Sequence, residues 1–162
     1  MEIHNSFQTS VKKALDEIDI DWPKYRGLII CGTHSPENVE FLLDKITLAR
    51  AKGLPFYGEC FGHQLACIEW ARNMMGISKA TSQEFGLEGV FVVKKLPQLN
   101  VGLKDGESYW NNYAVKEDVE KDYFKNRPPN MFSSQFHPSY QSSIDKPHPL
   151  IKSFLEYAKS YK

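Results

Sequence analysis

The sequence predicts an α/β three-layer sandwich with a mostly parallel central sheet. Two apolar runs carry the first part of this expectation: Gly27-Leu28-Ile29-Ile30-Cys31-Gly32 and Leu54-Pro55-Phe56-Tyr57-Gly58. Neither leaves a polar face for water, which suits strands covered on both sides. Each run is followed by apolar residues at three- and four-residue spacing, the mark of a helix with one buried face. Strand, helix, strand, helix is the pattern of right-handed βαβ units.

Taken in order, Phe7, Val11, Ala14, Leu15 and Ile18 share a helical face, with Asn5 or Ser6 as cap. This leaves Met1-Glu2-Ile3-His4 as a short lead, with His4 in a tail. Asp19–Trp22 reads as a short strand stopped by Pro23. After the strand at Gly27–Gly32 and the loop Thr33-His34-Ser35-Pro36, a helix carries Val39, Leu42, Leu43, Ile46 and Ala49 and ends near Gly53. Pro55 fits the first positions of the next strand, where no ladder donor is needed. Residues 62–75 are helical, with Leu65, Ala66, Ile68 and Ala71, and Gly76 stops them. Beyond this point Val90–Lys95 reads as a strand, with Leu103 and Tyr113–Val115 as further contributors. Asp118–Lys125 reads as a helix and Met131–Phe136 as a strand running into His137-Pro138. A last helix starts near Pro149 and buries Leu150, Ile151, Phe154, Leu155 and Ala158. No linker or repeat divides the chain, so residues 1–162 are expected to form one domain.

Of the 162 residues 41% are hydrophobic and 25% charged, the balance of a folded globular chain. Lys+Arg and Asp+Glu number 20 each, so no basic surplus points to nucleic acid or an anionic membrane as partner. No apolar run approaches the roughly 20 residues of a spanning helix. The N-terminus lacks signal-peptide architecture. Cys31, Cys60 and Cys67 cannot pair off completely, and a reducing cytoplasm with three free thiols is the expectation. No close-paired ligand spacing suggests a metal, and no Gly-rich loop suggests a phosphate cofactor, so no cofactor is expected.

The densest chemical signal is Gly58-Glu59-Cys60-Phe61-Gly62-His63-Gln64. It sits where a strand ends and a helix opens. A nucleophile there is held on a sharp turn, and the flanking glycines relieve the crowding. The helix N-terminus behind Cys60 favours a thiolate. Cys31 and Cys67 lack such flanks and read as buried thiols. A thiolate needs a proton shuttle, and histidine suits neutral pH. His148 fits a cap of the last helix, and His63 points beside the nucleophile. His34 and His137 both follow strand-like segments, and spacing does not choose between them.

The elbow Gly58–Gln64 and the stretch Gln135-Phe136-His137-Pro138 together resemble the class I (triad) glutamine amidotransferases. The similarity is greatest to the glutaminase domain of CTP synthase, through Ile68-Glu69-Trp70-Ala71-Arg72-Asn73 and Thr81-Ser82-Gln83-Glu84-Phe85. It extends over most of the chain and implies a flavodoxin-like fold. It also implies a role for each matched position. Cys60 would attack the side-chain amide of glutamine, and His137 would shuttle the protons. Backbone around Gly32, Thr33 and Phe61 would hold the oxyanion. Gln64, Glu84 and Tyr113 would bind the substrate, with Glu84 facing its α-amino group.

Three departures accompany the likeness. The family's His-Pro-Glu reads His137-Pro138-Ser139 here, so the acid that orients the histidine is missing from its usual place. With serine there, the second imidazole nitrogen is expected to face water, a backbone carbonyl or the Ser139 hydroxyl, and turnover is expected to suffer. Asp145 and Glu156 are the other carboxylates weighed for the role. A basic stretch of the family is replaced by Ser108-Tyr109-Trp110-Asn111-Asn112, with Asn112 where an arginine would hold the substrate carboxylate. The altered oxyanion loop, Gly32-Thr33-His34-Ser35, goes with this second departure, and the third is an expected lack of the synthetase portion. The expectation is a stand-alone amidohydrolase acting on glutamine or a related γ-glutamyl amide, with a separate ammonia-accepting synthetase as its candidate partner. The alternative is a catalytically silent homologue that binds a metabolite or a protein.

Overall fold

Side chains along the central strands alternate between two covered faces, and this alternation decides the layering. Leu28, Ile30, Phe56 and Met131 belong to one buried cluster, while Ile29, Tyr57 and Phe132 pack into another. The computed structural model describes residues 2–4, 26–86 and 88–161. The helix expected over Phe7–Ile18 and the strand at Asp19–Trp22 lie outside the described residues.

In chain order the elements are β1 (Glu2–His4), β2 (Leu28–Ile30), α1 (Val39–Lys52), β3 (Phe56–Glu59), α2 (Phe61–Asn73) and β4 (Ala80–Ser82). Then follow β5 (Val90–Lys104), β6 (Glu107–Val115), α3 (Glu117–Asn126), β7 (Met131–Ser134) and α4 (Pro149–Ser160). The central sheet has the order β1-β2-β3-β7, and every pair in it is parallel. Helices α1 and α2 supply Leu42, Ile46, Leu65 and Ile68 to the cluster on one face. Helix α4 covers the other face through Phe154 and Ala158. The α/β three-layer arrangement with a parallel central sheet is therefore present.

The expected elements are found within a few residues of their places, with three corrections. His4 is not in a tail: Glu2, Ile3 and His4 pair with Leu28, Ile29 and Ile30 as an edge strand. The strand expected to stop at Lys95 runs on to Lys104. Its register shifts between Lys95 and Asn100, where the partner strand has only Asn112 between Tyr113 and Asn111. Pro97 falls in this bulge, where its missing N–H breaks no ladder bond. Leu103 and Tyr113–Val115 are two arms of one antiparallel hairpin, closed by Asp105-Gly106. Both turn residues have positive φ, 51° and 83°, as a type I′ turn requires. Asp-Gly between strands was the sequence signal for this hairpin.

The elbow is held by backbone contact. A Cβ on Gly62 would lie 2.1 Å from the carbonyl oxygen of Ile30, and one on Gly58 would lie 2.7 Å from the carbonyl carbon of Gly62. Strand β2 thus packs against the first turn of α2 with no room for a side chain. Gly53, by contrast, caps α1 at φ 70° with open space around it. We expect Gly62→Ala to destabilise the fold by about 3 kcal/mol or more, since backbone must move. Gly53→Ala should cost only about 1–2 kcal/mol, for a left-handed conformation alone. Denaturant unfolding of the two variants checks the order.

Candidate active site

Chain direction places the site. The carboxyl ends of parallel strands point to one edge of the sheet, where open α/β folds bind ligands. Cys60 follows β3 directly, and His137 lies three residues beyond β7, the strand paired with it. Cys60 caps α2 with φ 53° and ψ −101°, a strained conformation for a side-chain-bearing residue. Its N–H donates to the Ser134 carbonyl at 2.9 Å, and its carbonyl accepts the Gln64 N–H at 3.0 Å.

A cavity of about 340 Å³ opens at this edge. Its lining includes Gly32, Thr33, Phe61, Gln64, Glu84 and Tyr113 together with Cys60, His137 and Ser139. The structure therefore brings together every residue that the resemblance marked out. Gly32 passes so close that a Cβ on it would lie 3.3 Å from the Cys60 Cβ and 3.1 Å from the His137 Cε1. Phe61 is the first residue of α2, in the turn whose N–H groups a helix leaves without internal partners. The Gln64 amide nitrogen donates to the Tyr113 carbonyl at 2.9 Å and to Gln135 Oε1 at 3.1 Å, so Gln64 ties the hairpin to the elbow helix. Burial raises the pKa of Glu84 above the ordinary carboxylate value.

His137 is 5% exposed. Its backbone N–H donates to the Ser108 carbonyl of β6 at 2.7 Å, and its ring stacks on Tyr140 with centroids 4.4 Å apart. One ring nitrogen, Nε2, lies 3.3 Å from the Trp110 carbonyl oxygen, and the Cys60 thiol reaches the same oxygen at 3.8 Å. The other, Nδ1, lies 3.2 Å from Glu59 Oε1. Both neighbours are acceptors, so both ring nitrogens satisfy them only by carrying a proton. Burial disfavours the charged ring, but hydrogen bonds with Cys60 and Glu59, and their charges, outweigh it and push the pKa up to about 10.

This geometry corrects the expectation about Ser139. The imidazole Nδ1 faces a carboxylate, not water or a hydroxyl. Ser139 instead donates to that carboxylate twice, from Oγ to Oε1 at 2.5 Å and from its N–H to Oε2 at 3.1 Å. Tyr57 donates a further hydrogen bond to Oε2 at 2.8 Å. Glu59 is buried, which alone would raise its pKa, but these donors and His137 bring it below the ordinary value. Asp145 is exposed, and Glu156 lies on the exposed side of α4, 3.9 Å from Lys152.

The remaining candidates fall elsewhere. His34 lies at the mouth of the cavity, its ring 4.6 Å from that of Trp110. His63 is wholly buried between Ser133 and Glu120, on the side of α2 that meets α3. His148 caps α4, with Nδ1 accepting the Leu150 N–H. Cys67 is buried beside His63, and its thiol is pushed well above the ordinary value by burial. Cys31 lines the cavity, with its thiol pushed up to about 11 by burial and by the charge of Glu59. All three cysteines are free. The residues that sequence reasoning missed are Glu59, Tyr57, Trp110 and Gln135, whose side-chain amide donates to the Cys60 sulfur at 3.6 Å. Glu59 and Gln135 lie inside the quoted motifs, Tyr57 lies directly before the elbow, and Trp110 lies in the stretch that departs from the family. Among the described residues no cluster suits a metal ion, and no helix is long and apolar enough to cross a membrane.

Comparison with known proteins agrees with the fold. The family model for "Glutamine amidotransferase class-I" matches residues 3–157, and the chain belongs to that family. Its similarity to individual proteins is more distant. It is 30% identical to CTP synthase of Methanoregula boonei over 184 residues, covering 85% of this chain and 35% of that protein. With CTP synthase of Ruminiclostridium cellulolyticum the identity is 26% over 184 residues, covering 84% and 34%. The chain thus spans about a third of the length of these relatives. A solved structure of the glutaminase domain of Trypanosoma brucei CTP synthase, with bound acivicin, superposes with a TM-score of 0.70 at 21% identity. That match covers 95% of this chain and 76% of the other, and it shows the shared fold.

Two of the pKa shifts at the site, those of His137 and Glu59, tie stability to pH. The His137 value is raised from 6.5 to about 10, so its contribution is complete below pH 6.5 and disappears as pH rises through 10. The Glu59 value is lowered from 4.5, so its contribution is complete above pH 4.5 and disappears as pH falls through the folded value. We expect the denaturant midpoint of the wild type to fall between pH 6.5 and 10 by more than that of His137→Gln. Parallel slopes for the two proteins would mean that the ring is not held charged.

Proposed function

We propose that this chain is an amidohydrolase of the class I glutamine amidotransferase type. In this reading it converts glutamine, or a related γ-glutamyl amide, to the acid and ammonia. The observation that carries the reading is one cleft holding a cysteine at a strained strand-to-helix elbow and a buried histidine ring that shares a carbonyl contact with it. Strain of this kind costs roughly 1–3 kcal/mol and is kept where it aims a side chain.

The proposed chemistry has two halves. The Cys60 thiolate attacks the amide carbon, and the carbonyl electron pair moves onto oxygen. Backbone N–H groups at Gly32, Thr33 and Phe61 receive that charge. His137 gives its Nε2 proton to the amide nitrogen, the C–N bond breaks and ammonia leaves. A thioester on Cys60 and a neutral imidazole remain. Water then attacks the thioester and passes a proton to His137. The C–S bond breaks, which frees the acid and restores the thiolate and imidazolium.

Glu84, Gln64 and Tyr113 form the wall that would take the amino-acid end of the substrate. Burial raises the Glu84 pKa, and a bound ammonium group would favour its anion in turn. The curated relatives are about three times as long and are named CTP synthases. A separate synthetase is the acceptor proposed for ammonia released here. Three free thiols fit a reducing cytoplasm.

The test is a glutaminase assay on the protein itself. Cys60→Ala should lower hydrolysis by more than about 10³-fold, as losing a nucleophile does. A glutamine-like electrophile should label Cys60 and no other thiol. Absence of both hydrolysis and labelling in folded protein would make the chain a silent homologue that binds a metabolite or partner. Glu84→Gln should raise KM for glutamine by about tenfold or more, the worth of a charged hydrogen bond, with a smaller effect on kcat. An unchanged KM would remove Glu84 from the amine site.

A further inference from the structure

We propose that Glu59 is the positioning acid for His137, supplied from the strand that also presents Cys60. The role rests on the proposed Cys60–His137 pair. Strand β3 delivers both groups in succession: Glu59 is its last residue and Cys60 the first beyond it. Side chains alternate along a strand, so Glu59 emerges on the same face as Tyr57 while the elbow turns Cys60 towards the cavity. The carboxylate then receives four donors: His137 Nδ1, the Tyr57 hydroxyl, and the hydroxyl and N–H of Ser139.

Each donor has a consequence. A carboxylate only 4% exposed stays ionised only if its lone pairs are met, and here they are met on both oxygens. Tyr57 and Ser139 hold the group from two sides, so the oxygen facing Nδ1 cannot swing away. That fixes the ring with its proton on Nδ1 and aims Nε2 at the carbonyl shared with Cys60. An imidazolium formed there is stabilised by a charge 3.2 Å away. Glu59 takes no proton in this arrangement; it orients the ring and favours its charged form.

Glu59 and the departure at position 139 form one device. A serine at 139 is short enough to leave the space beside His137 to Glu59, and it adds two donors to hold it. A glutamate at 139 would set a second carboxylate against the first. Ser139→Glu alone should therefore fail to raise activity, contrary to what the sequence suggests.

The groups facing the ring are Cys60, Glu59, Tyr140 and the Trp110 carbonyl, and the titration of the ring reads them directly. In the wild type, NMR should show His137 as imidazolium throughout the neutral range, with a downfield Nδ1 proton. Glu59→Gln keeps the shape and removes the charge. The ring midpoint should then fall by about two units or more, and the rate of Cys60 labelling at neutral pH by on the order of 10²-fold, within the roughly 10⁴ that losing a triad acid costs. The double variant Glu59→Gln/Ser139→Glu should recover at least about tenfold of that loss, because a carboxylate is again within reach of Nδ1. A neutral His137 in the wild type at pH 7 overturns the proposal, whether or not Glu59→Gln folds. So does an unchanged midpoint in a folded Glu59→Gln. These titrations do not depend on which amide is the substrate. Hydrolysis without them, or they without hydrolysis, separates the role of Glu59 from the proposed function.

Discussion

A cysteine at φ 53° cannot hold that conformation on its own account. The turn persists because β2 and the first turn of α2 touch backbone to backbone, Gly62 against the Ile30 carbonyl. From this contact follow the direction of α2, the position of Cys60 above the sheet edge and the cavity in front of it. The contact also explains the composition of the helix. Every residue from Phe61 to Ala71 is buried, so α2 is central to the molecule, and its polar members Gln64, His63 and Glu69 each need a partner. They find them in Tyr113 and Gln135, in Ser133 and Glu120, and in Arg50.

A second layer of constraint comes from the hairpin β5–β6. It is outside the central sheet but meets the site through backbone atoms: the Ser108 carbonyl holds the His137 N–H, and the Trp110 carbonyl lies beside both Nε2 and the Cys60 sulfur. Backbone contacts of this kind survive changes in side chain. The stretch Ser108–Asn112 can therefore change its side chains and still wall the cavity. Substrate preference is the property such changes would alter, since side chains of this hairpin line the opening.

The electrostatics are local and paired. Glu59 and His137 are both buried, and each would be expensive to charge alone. Together with Tyr57, Ser139 and the Trp110 carbonyl they form a network in which every ring nitrogen and carboxylate oxygen has a partner. Burial then strengthens the attractions it would otherwise penalise. Cys31 shows the other outcome: a thiol near the same carboxylate, with no cation of its own, has its pKa pushed up.

Much of this was legible in the chain itself. Apolar runs without a polar face reported parallel strands, and helical spacing at Val39–Ala49 and Leu150–Ala158 reported the layers above and below them. Gly58 and Gly62 reported the elbow, because only glycine fits where backbones meet. These are properties of near neighbours in sequence, where period and residue size decide the geometry. The hairpin arms look like separate pieces in the sequence, although Asp105-Gly106 marks the turn, because the bulge at Pro97 breaks the alternation. What the tertiary structure alone decided was the partner of His137. Glu59 and His137 are 78 positions apart. Only the parallel pairing of β3 with β7 brings the end of one strand beside the loop after the other. A serine in the usual place of the acid looked like a loss, and the fold showed a carboxylate in that space, reached from a different strand.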